Sequence, residues 1–162
     1  MSLRVAVLTV SDTASRGARE DTSGARIVEW AATHGWPVVV RETVPDEPDA
    51  VVTRLAEWAD GGKVDLILTT GGTGLSPRDR TPEATRAVID REVPGIPEAL
   101  RGAARVTTPR ASLSRGVAGL RGRTLIVNLP GSEGGVRDGL KVLDPIVGHA
   151  VAIARGDPVD HV

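Results

Sequence analysis

Residues 69–85 read Thr69-Thr-Gly-Gly-Thr-Gly-Leu-Ser-Pro-Arg-Asp-Arg-Thr-Pro-Glu-Ala-Thr85, and they follow the short apolar run 64–68. Glycine has no Cβ, so the glycines of this loop permit positive φ angles and let backbone N–H groups approach an anion closely. A helix start follows, because Thr81 can cap a helix, Pro82 suits its first turn, and Glu83 lies near the positive helix end. The stretch therefore predicts a strand, a phosphate-binding loop and a helix.

Valine-rich apolar runs elsewhere in the chain predict further strands of the same kind. Short continuous runs are typical of parallel strands that helices bury on both faces. We expect strands over residues 3–10, 36–44, 64–69 and 123–129. The fold class is therefore α/β, a three-layer arrangement in which a mostly parallel sheet is flanked by helices.

Helical spacing of apolar residues separates these runs, and glycine or proline ends each helical segment. We predict helices over residues 23–34, from about 48 to 60, 82–90, 97–106, and a long one from 136 to 151. Asp144-Pro145 should kink or break the last helix, because proline lacks the N–H that a helix interior needs. The arginine-rich residues 101–123 are expected to form a solvated surface, although Ser114-Arg115 could reach an anion.

Composition limits the class of protein. The chain has 162 residues, 40% of them hydrophobic, which suits a single domain over residues 1–162. Lys and Arg total 20 against 21 Asp and Glu, so no strong positive field is available to hold nucleic acid. The absence of cysteine excludes disulfides, thiolate metal sites and a thiol nucleophile. Since no signal-like start or long apolar run occurs, we expect a cytoplasmic protein without a membrane segment.

Polar side chains follow four of the predicted strands. These segments are Ser11-Asp12, the loop that begins at Asp46, the glycine loop (residues 71–74), and Asn128-Leu-Pro-Gly-Ser132. Because parallel strands end at one edge of the sheet, where ligands of open α/β sheets bind, these segments could share a cleft. Asp46 and Asp79 could simply cap the helices that follow them. They could also hold Mg²⁺, which takes oxygen ligands and bridges substrate phosphates.

Several common site motifs are absent. The glycine loop lacks the Gly-Lys-Ser/Thr of a Walker A sequence, and the turn after the first strand lacks the dinucleotide fingerprint Gly-x-Gly-x-x-Gly. Pro130 occupies the position where a nucleophile elbow around Ser132 would need glycine. NAD chemistry and serine-hydrolase chemistry are therefore disfavoured, and metal-assisted chemistry on a phosphorylated ligand is favoured.

The chain resembles the MogA/MoaB-like family of molybdenum cofactor biosynthesis, which includes the G domains of plant Cnx1 and of gephyrin. The resemblance covers nearly the whole chain and is most specific at residues 69–85, 45–49, 113–115 and 128–132. It implies a molybdopterin-binding fold that adenylylates molybdopterin with Mg²⁺ and ATP, giving adenylyl-molybdopterin and pyrophosphate. It also implies a homotrimer, and a molybdenum-insertion protein as a downstream partner.

The resemblance further implies roles for individual residues. Asp46 and Asp79 match the two family aspartates tied to metal binding and catalysis. The loop around the nucleotide phosphates is matched by Gly71, Gly72, Thr73 and Gly74. Ser11 and Asp12 match the Ser-Asp pair that follows the first strand of the family and are expected at the same ligand site. Further positions, which match residues that line the same cleft and could hold pterin or phosphate, are Ser114, Arg115, Asn128, Pro130, Gly131 and Ser132. The chain departs from the pattern just after Ser132, where Glu133-Gly-Gly135 replaces the Pro or Lys that relatives often carry.

A non-catalytic alternative is a paralogue that binds molybdopterin or uses the fold as a scaffold. Both aspartates argue against it, because a pure binder of an anionic ligand gains nothing from carboxylates in its cleft. The adenylyltransferase is therefore the favoured hypothesis.

Overall fold

A six-stranded sheet forms the centre of residues 2–160, the part of the chain that this computed structural model describes. The strands are β1 (Val5–Val10), β2 (Val38–Val44), β3 (Leu66–Thr70), β4 (Arg91–Glu92), β5 (Ala118–Arg121) and β6 (Thr124–Leu129). They lie in the order β2-β1-β3-β6-β5-β4. Strands β2, β1, β3 and β6 are parallel, whereas β5 pairs antiparallel with both β6 and β4. The predicted mostly parallel sheet is confirmed.

Seven helices cover this sheet within the described residues. They are α1 (Asp12–Ser15), α2 (Thr22–Thr33), α3 (Pro48–Asp60), α4 (Thr81–Val88), α5 (Gly95–Arg105), α6 (Glu133–Leu143) and α7 (Val147–Arg155). The long helix predicted over residues 136–151 is broken around Asp144-Pro145, as expected from the missing N–H of proline. Helix α4 begins with Thr81 as its first residue and Arg80 as its N-cap, one position earlier than the predicted cap.

The central strands are buried on both faces. Successive side chains of a strand point to opposite faces, so β1 sends Val5 and Val7 into one core and Ala6 and Leu8 into the other. Helices α2, α5, α6 and α7 pack on the first core, and α3 and α4 pack on the second. Every residue of β1, β3 and β6 is buried, which explains their continuous apolar sequences. The predicted three-layer arrangement is therefore confirmed.

The prediction of a solvated surface over residues 101–123 is wrong in its second half. Residues 109–113 form a 3₁₀ turn, and β5 then pairs with β6 through a hairpin at Gly122, leaving Val117 and Ala118 buried. Arginines obscure this strand in the sequence. Arg121 belongs to it, and its guanidinium donates to the Asp60 carboxylate and to the carbonyl of Val88. Strand β4 has only two residues and leaves no apolar pattern to detect.

Candidate active site at the carboxyl edge of the sheet

A cavity of about 360 Å³ opens at the carboxyl edge of the sheet, where β1, β2, β3 and β6 end. Asp46 and Asp79 both line it, as do Gly71 and Gly72 of the glycine loop. Three more of the predicted site residues also line this cavity: Ser11, Gly131 and Ser132. The structure therefore brings together the ends of four parallel strands and two acidic side chains.

Asp46 is fixed by a crossed pair of hydrogen bonds with Asp12. The amide of Asp12 donates to Asp46 Oδ2 at 2.9 Å, and the amide of Asp46 donates to Asp12 Oδ1 at 2.9 Å. Burial raises the pKa of Asp46, and the nearby negative charges of Asp12 and Asp79 raise it further, while the hydrogen bond from its Asp12 partner opposes the shift. A cation at this position would relieve that concentration of negative charge.

Asp79 lies in the turn before α4 and accepts a hydrogen bond from the amide of Ser76 at 3.0 Å. Neither aspartate caps the helix that follows it. Arg80 is the N-cap of α4 and Glu47 is the N-cap of α3, and neither of these helices has a side-chain cap. The capping interpretation left open by the sequence is therefore excluded, and both carboxylates remain on the cavity wall.

The glycine loop passes too close to its neighbours to carry side chains. Gly71 and Gly72 have φ angles of 97° and 69°, a region that L-residues rarely adopt. A Cβ on Gly71 would overlap the carbonyl oxygen of Val10, and a Cβ on Gly72 would overlap Thr81 Oγ1 and approach Asp46 Oδ1. The bare backbone therefore forms the wall between the two aspartates. Thr73 is buried and does not line the cavity.

The carboxylate of Asp12 is held by the side chain of Arg78. The Arg78 guanidinium donates from Nε to Asp12 Oδ2 at 2.7 Å and from Nη2 to Asp12 Oδ1 at 3.0 Å. These bonds, followed by the hydrogen bond from the amide of Asp46, lower the pKa of Asp12 to about 2. Arg78 Nη2 also donates to Glu47 at 3.0 Å. Asp12 is thus paired inside the protein, although the resemblance implied contact with a ligand.

Ser114 and Arg115 lie outside this cavity. They line a separate depression of about 400 Å³, together with Arg86, Arg101 and the backbone before β5. Arg115 stands between the two spaces, because its guanidinium donates to the carbonyls of Gly74 and Asp79. Arg115 also pairs with Glu83. The single cleft expected from the sequence is therefore two adjacent spaces.

Asn128 lies inside the protein, with only 3% of its surface exposed. Its Oδ1 accepts from the amide of Val117, and its Nδ2 donates to Thr69 Oγ1 and Thr85 Oγ1. The amide thereby joins β3, β6, α4 and the segment before β5. The structure does not bring Asn128 into contact with the cavity, and its Nδ2 and Oδ1 are both engaged in this bridge.

The turn after β6 forms the opposite wall. The carbonyl of Pro130 accepts from Thr70 Oγ1 at 2.6 Å, and the carbonyl of Gly131 accepts from Ser23 Oγ at 2.8 Å. Ser132 caps α6, its Oγ accepting from the amide of Gly135 at 3.1 Å. These bonds hold the turn against β3 and α2.

Sequence reasoning missed one wall of the cavity, residues 19–23 before and within the first turn of α2. Asp21 caps α2 by accepting from the amide of Gly24, and it also accepts from Thr9 Oγ1. Asp-Thr-Ser directly before a helical pattern is a recognisable helix start. Its position after the first strand was therefore a usable signal for a further helix N-terminus at this edge.

Residues 6–149 match the family described as "Probable molybdopterin binding domain". The chain belongs to this molybdopterin-binding family. A solved structure of the molybdopterin biosynthesis enzyme MoaB from Thermus thermophilus has 52% identity and a TM-score of 0.91, with 98% of this chain and 99% of that chain covered. The family resemblance seen in the sequence is confirmed.

Curated relatives agree with this assignment. A molybdopterin adenylyltransferase of Helicobacter pylori is 38% identical, with 96% of this chain and 90% of that protein covered. The molybdenum cofactor synthesis protein cinnamon of Drosophila melanogaster is 40% identical over 96% of this chain, which spans only 26% of its length. The chain therefore corresponds to about a quarter of that larger relative.

Within residues 2–160, no group of three or more His, Cys, Asp or Glu side chains is arranged to hold a metal ion. No helix in this range has the length and apolar character needed to cross a membrane. A metal held by Asp46 and Asp79 would consequently need further oxygen ligands from water or a substrate.

Gly72→Ala should lower the free energy of unfolding by about 1–3 kcal/mol more than Gly62→Ala. Both glycines have left-handed φ angles, so each alanine variant bears a similar backbone cost of about 1–2 kcal/mol. Only the Cβ at position 72 meets occupied space, and forced overlap costs typically about 1–3 kcal/mol. Urea unfolding of both variants measures the difference. Equal destabilisation would show that the loop can move away from Thr81.

Asp12→Asn should change the acid dependence of stability. A carboxyl whose pKa falls from 3.8 to about 2 on folding stabilises the protein above 3.8 and loses that contribution as the pH drops through about 2. The difference in free energy of unfolding between wild type and variant should stay constant well above pH 3.8 and shrink below it. Urea unfolding at a series of pH values tests this. Parallel curves down to the lowest pH would contradict the pairing with Arg78.

Proposed function

We propose that this chain acts in molybdenum cofactor biosynthesis by adenylylating molybdopterin with Mg²⁺ and ATP. The observation that carries the proposal is the convergence of Asp46, Asp79 and the side-chain-free backbone of Gly71-Gly72 on one cavity. A nucleoside triphosphate needs backbone groups that fit closely around its phosphates and a positive charge to balance them. The bare backbone of Gly71-Gly72 can supply the close fit, and the two aspartates can bind a metal ion that supplies the charge. The names of the curated relatives point to the same reaction.

The proposed reaction is an in-line nucleotidyl transfer. A terminal phosphate oxygen of molybdopterin forms a bond to the α-phosphorus of ATP, and the bond from that phosphorus to the bridging oxygen of pyrophosphate breaks. The electron pair of the broken bond leaves with pyrophosphate. No covalent intermediate with the protein is needed, which agrees with a chain that has no cysteine.

The donor set of the cavity fits Mg²⁺. Asp46 and Asp79 would supply two hard oxygen ligands. Burial, and then the neighbouring charges of Asp12 and Asp79, raise the pKa of Asp46, and a cation would offset those charges. When bound, the ion would neutralise charge on the phosphates as they react. Two carboxylates alone make an incomplete coordination shell, so we propose that the metal is held only together with the nucleotide.

Two helix N-termini favour the phosphates electrostatically. Helix α2 has 12 residues and α6 has 11, and the residues at both N-termini, Thr22 and Ser132, line the cavity. The positive end of a helix dipole stabilises nearby negative charge. We place the triphosphate between these helix ends and the glycine loop. The neighbouring depression beside Ser114 and Arg115 is our proposed position for the anionic pterin, with Arg115 between the two substrates.

Asp79→Asn should leave molybdopterin binding intact and lower turnover at least about 100-fold, because the amide cannot replace an anionic metal ligand. The measurement is pyrophosphate release with purified protein, molybdopterin, Mg²⁺ and ATP. Asp49→Asn is the matched control, since Asp49 is exposed and lies in the first turn of α3. Unchanged turnover in Asp79→Asn would remove Asp79 from the mechanism. A wild-type protein that binds molybdopterin but releases no pyrophosphate would instead favour the non-catalytic paralogue.

We also propose that the chain works in the cytoplasm as a homotrimer and passes its product to a molybdenum-insertion protein. The support is membership of the family together with the sequence resemblance described above. Light scattering coupled to size-exclusion chromatography should give a mass three times that of the 16.9 kDa chain. A mass of one chain, or of six, would reject the trimer without affecting the proposed chemistry.

A further inference from the structure

Arg78 is a charged residue at the site for which the proposed reaction has no use. Its side chain is 54% exposed, yet three of its donor contacts go to two carboxylates, Asp12 and Glu47. The two bonds to Asp12 are parallel and use different guanidinium nitrogens, Nε and Nη2. A planar fork of this kind fixes both the position and the orientation of the carboxylate it holds.

The carboxylate held by Arg78 is the one that orients Asp46. Asp12 Oδ1 accepts from Arg78 Nη2 and from the amide of Asp46, so one oxygen atom links the arginine to the Asp46 backbone. In return, Asp46 Oδ2 accepts from the amide of Asp12. A rotation of the Asp12 carboxylate would break the contact to the Asp46 amide. The conformation of Asp46 therefore depends on a residue with which it shares no direct hydrogen bond.

These contacts also join three loops that are distant in sequence. Asp12 follows β1, Asp46 and Glu47 follow β2, and Arg78 belongs to the segment after β3. Arg78 is directly followed by Asp79, the second acidic residue of the cavity. Its contacts to Asp12 and Glu47 therefore hold the segment that carries Asp79 against the segment that carries Asp46.

Charge supports the same arrangement. Three carboxylates, those of Asp12, Asp46 and Asp79, lie close enough for the first and third to affect the second. Arg78 compensates Asp12, so that, among the described residues, the charges of Asp46 and Asp79 are the ones left unpaired by arginine on this side of the cavity, opposite Glu20 and Asp21. An arginine that turned toward a nucleotide phosphate would instead leave Asp12 uncompensated beside Asp46.

We infer that Arg78 is a positioning residue: through Asp12 it sets the orientation of Asp46 and its spacing from Asp79. The consequence for metal binding rests on the proposed function, whereas the consequence for the Asp12 and Asp46 backbone does not.

Two variants separate the effect of the Arg78 charge from the effect of its two-pronged hydrogen bonding. Arg78→Gln removes the charge and the fork, and Arg78→Lys keeps the charge without the fork. Arg80→Gln is the matched control, because Arg80 is an exposed arginine of the same segment and its Nε donates to the carbonyl of Pro77 rather than to Asp12 or Glu47.

Amide hydrogen exchange of the ligand-free protein, measured by NMR, tests the first consequence. In Arg78→Gln the amides of Asp12 and Asp46 should exchange at least about fivefold faster, the factor expected when one hydrogen bond is weakened. Arg78→Lys should be intermediate and Arg80→Gln unchanged, with amides of the central strand β1 unaffected in all three. Unchanged exchange in Arg78→Gln, or equal acceleration in Arg80→Gln, would overturn the inference.

Binding of Mn²⁺ in the presence of ATP, followed by electron paramagnetic resonance, tests the second consequence. The half-saturating Mn²⁺ concentration should rise about tenfold in Arg78→Gln, as for other residues that orient a metal ligand. Weaker ATP binding with unchanged amide exchange would overturn the inference and identify Arg78 as a phosphate ligand. A wild-type protein that binds no Mn²⁺ with ATP would count against the proposed function, and the amide exchange would still decide the role of Arg78.

Discussion

Parallel pairing of β2, β1, β3 and β6 is the constraint on which the rest of the structure depends. Because these strands share one direction, the loops that follow them emerge at one edge, and side chains more than 100 residues apart meet there. Ser23 Oγ, for example, donates to the carbonyl of Gly131 at the cavity wall. Strands β5 and β4, which are joined to β6 by antiparallel pairing, extend the sheet without adding a loop to the first cavity. Burial of the central strands on both faces keeps this edge rigid.

Negative charge at the cavity needs explanation, because the proposed substrates are themselves anions. Two features reconcile them. Arg78 compensates Asp12, and Arg19 and the helix N-termini at Thr22 and Ser132 bring positive potential to the cavity wall. Asp21 is paired with Arg41, and the pair Asp46 and Asp79 suits a divalent ion that arrives with its nucleotide. On this view the acidic residues exclude free phosphate compounds and admit metal-bound ones.

Much of this architecture was predictable, and the failures have physical reasons. The parallel strands and their helices follow from valine-rich runs and 3.6-residue spacing, which local sequence reports well. Strand β5 was not predicted, because its arginine suggested an exposed surface. In the structure that arginine is bound by Asp60, and the strand is fixed by its hairpin pairing with β6. At the site, the convergence of strand ends predicted that Asp46 and Asp79 share one cleft, and both line the cavity. Asn128 and Asp12 were expected to meet a ligand, but sequence shows which groups a residue carries and not which partner satisfies them.

The outermost strand, β4, has a consequence for the behaviour of the protein in concentrated solution. A sheet edge with unpaired backbone groups can recruit a strand from another chain and begin aggregation. Here that edge consists of two exposed residues of opposite charge, Arg91 and Glu92. Because this edge strand is so short and charged, a second chain could form almost no backbone hydrogen bonds with it. Edge-to-edge polymerisation is therefore discouraged on this side of the sheet.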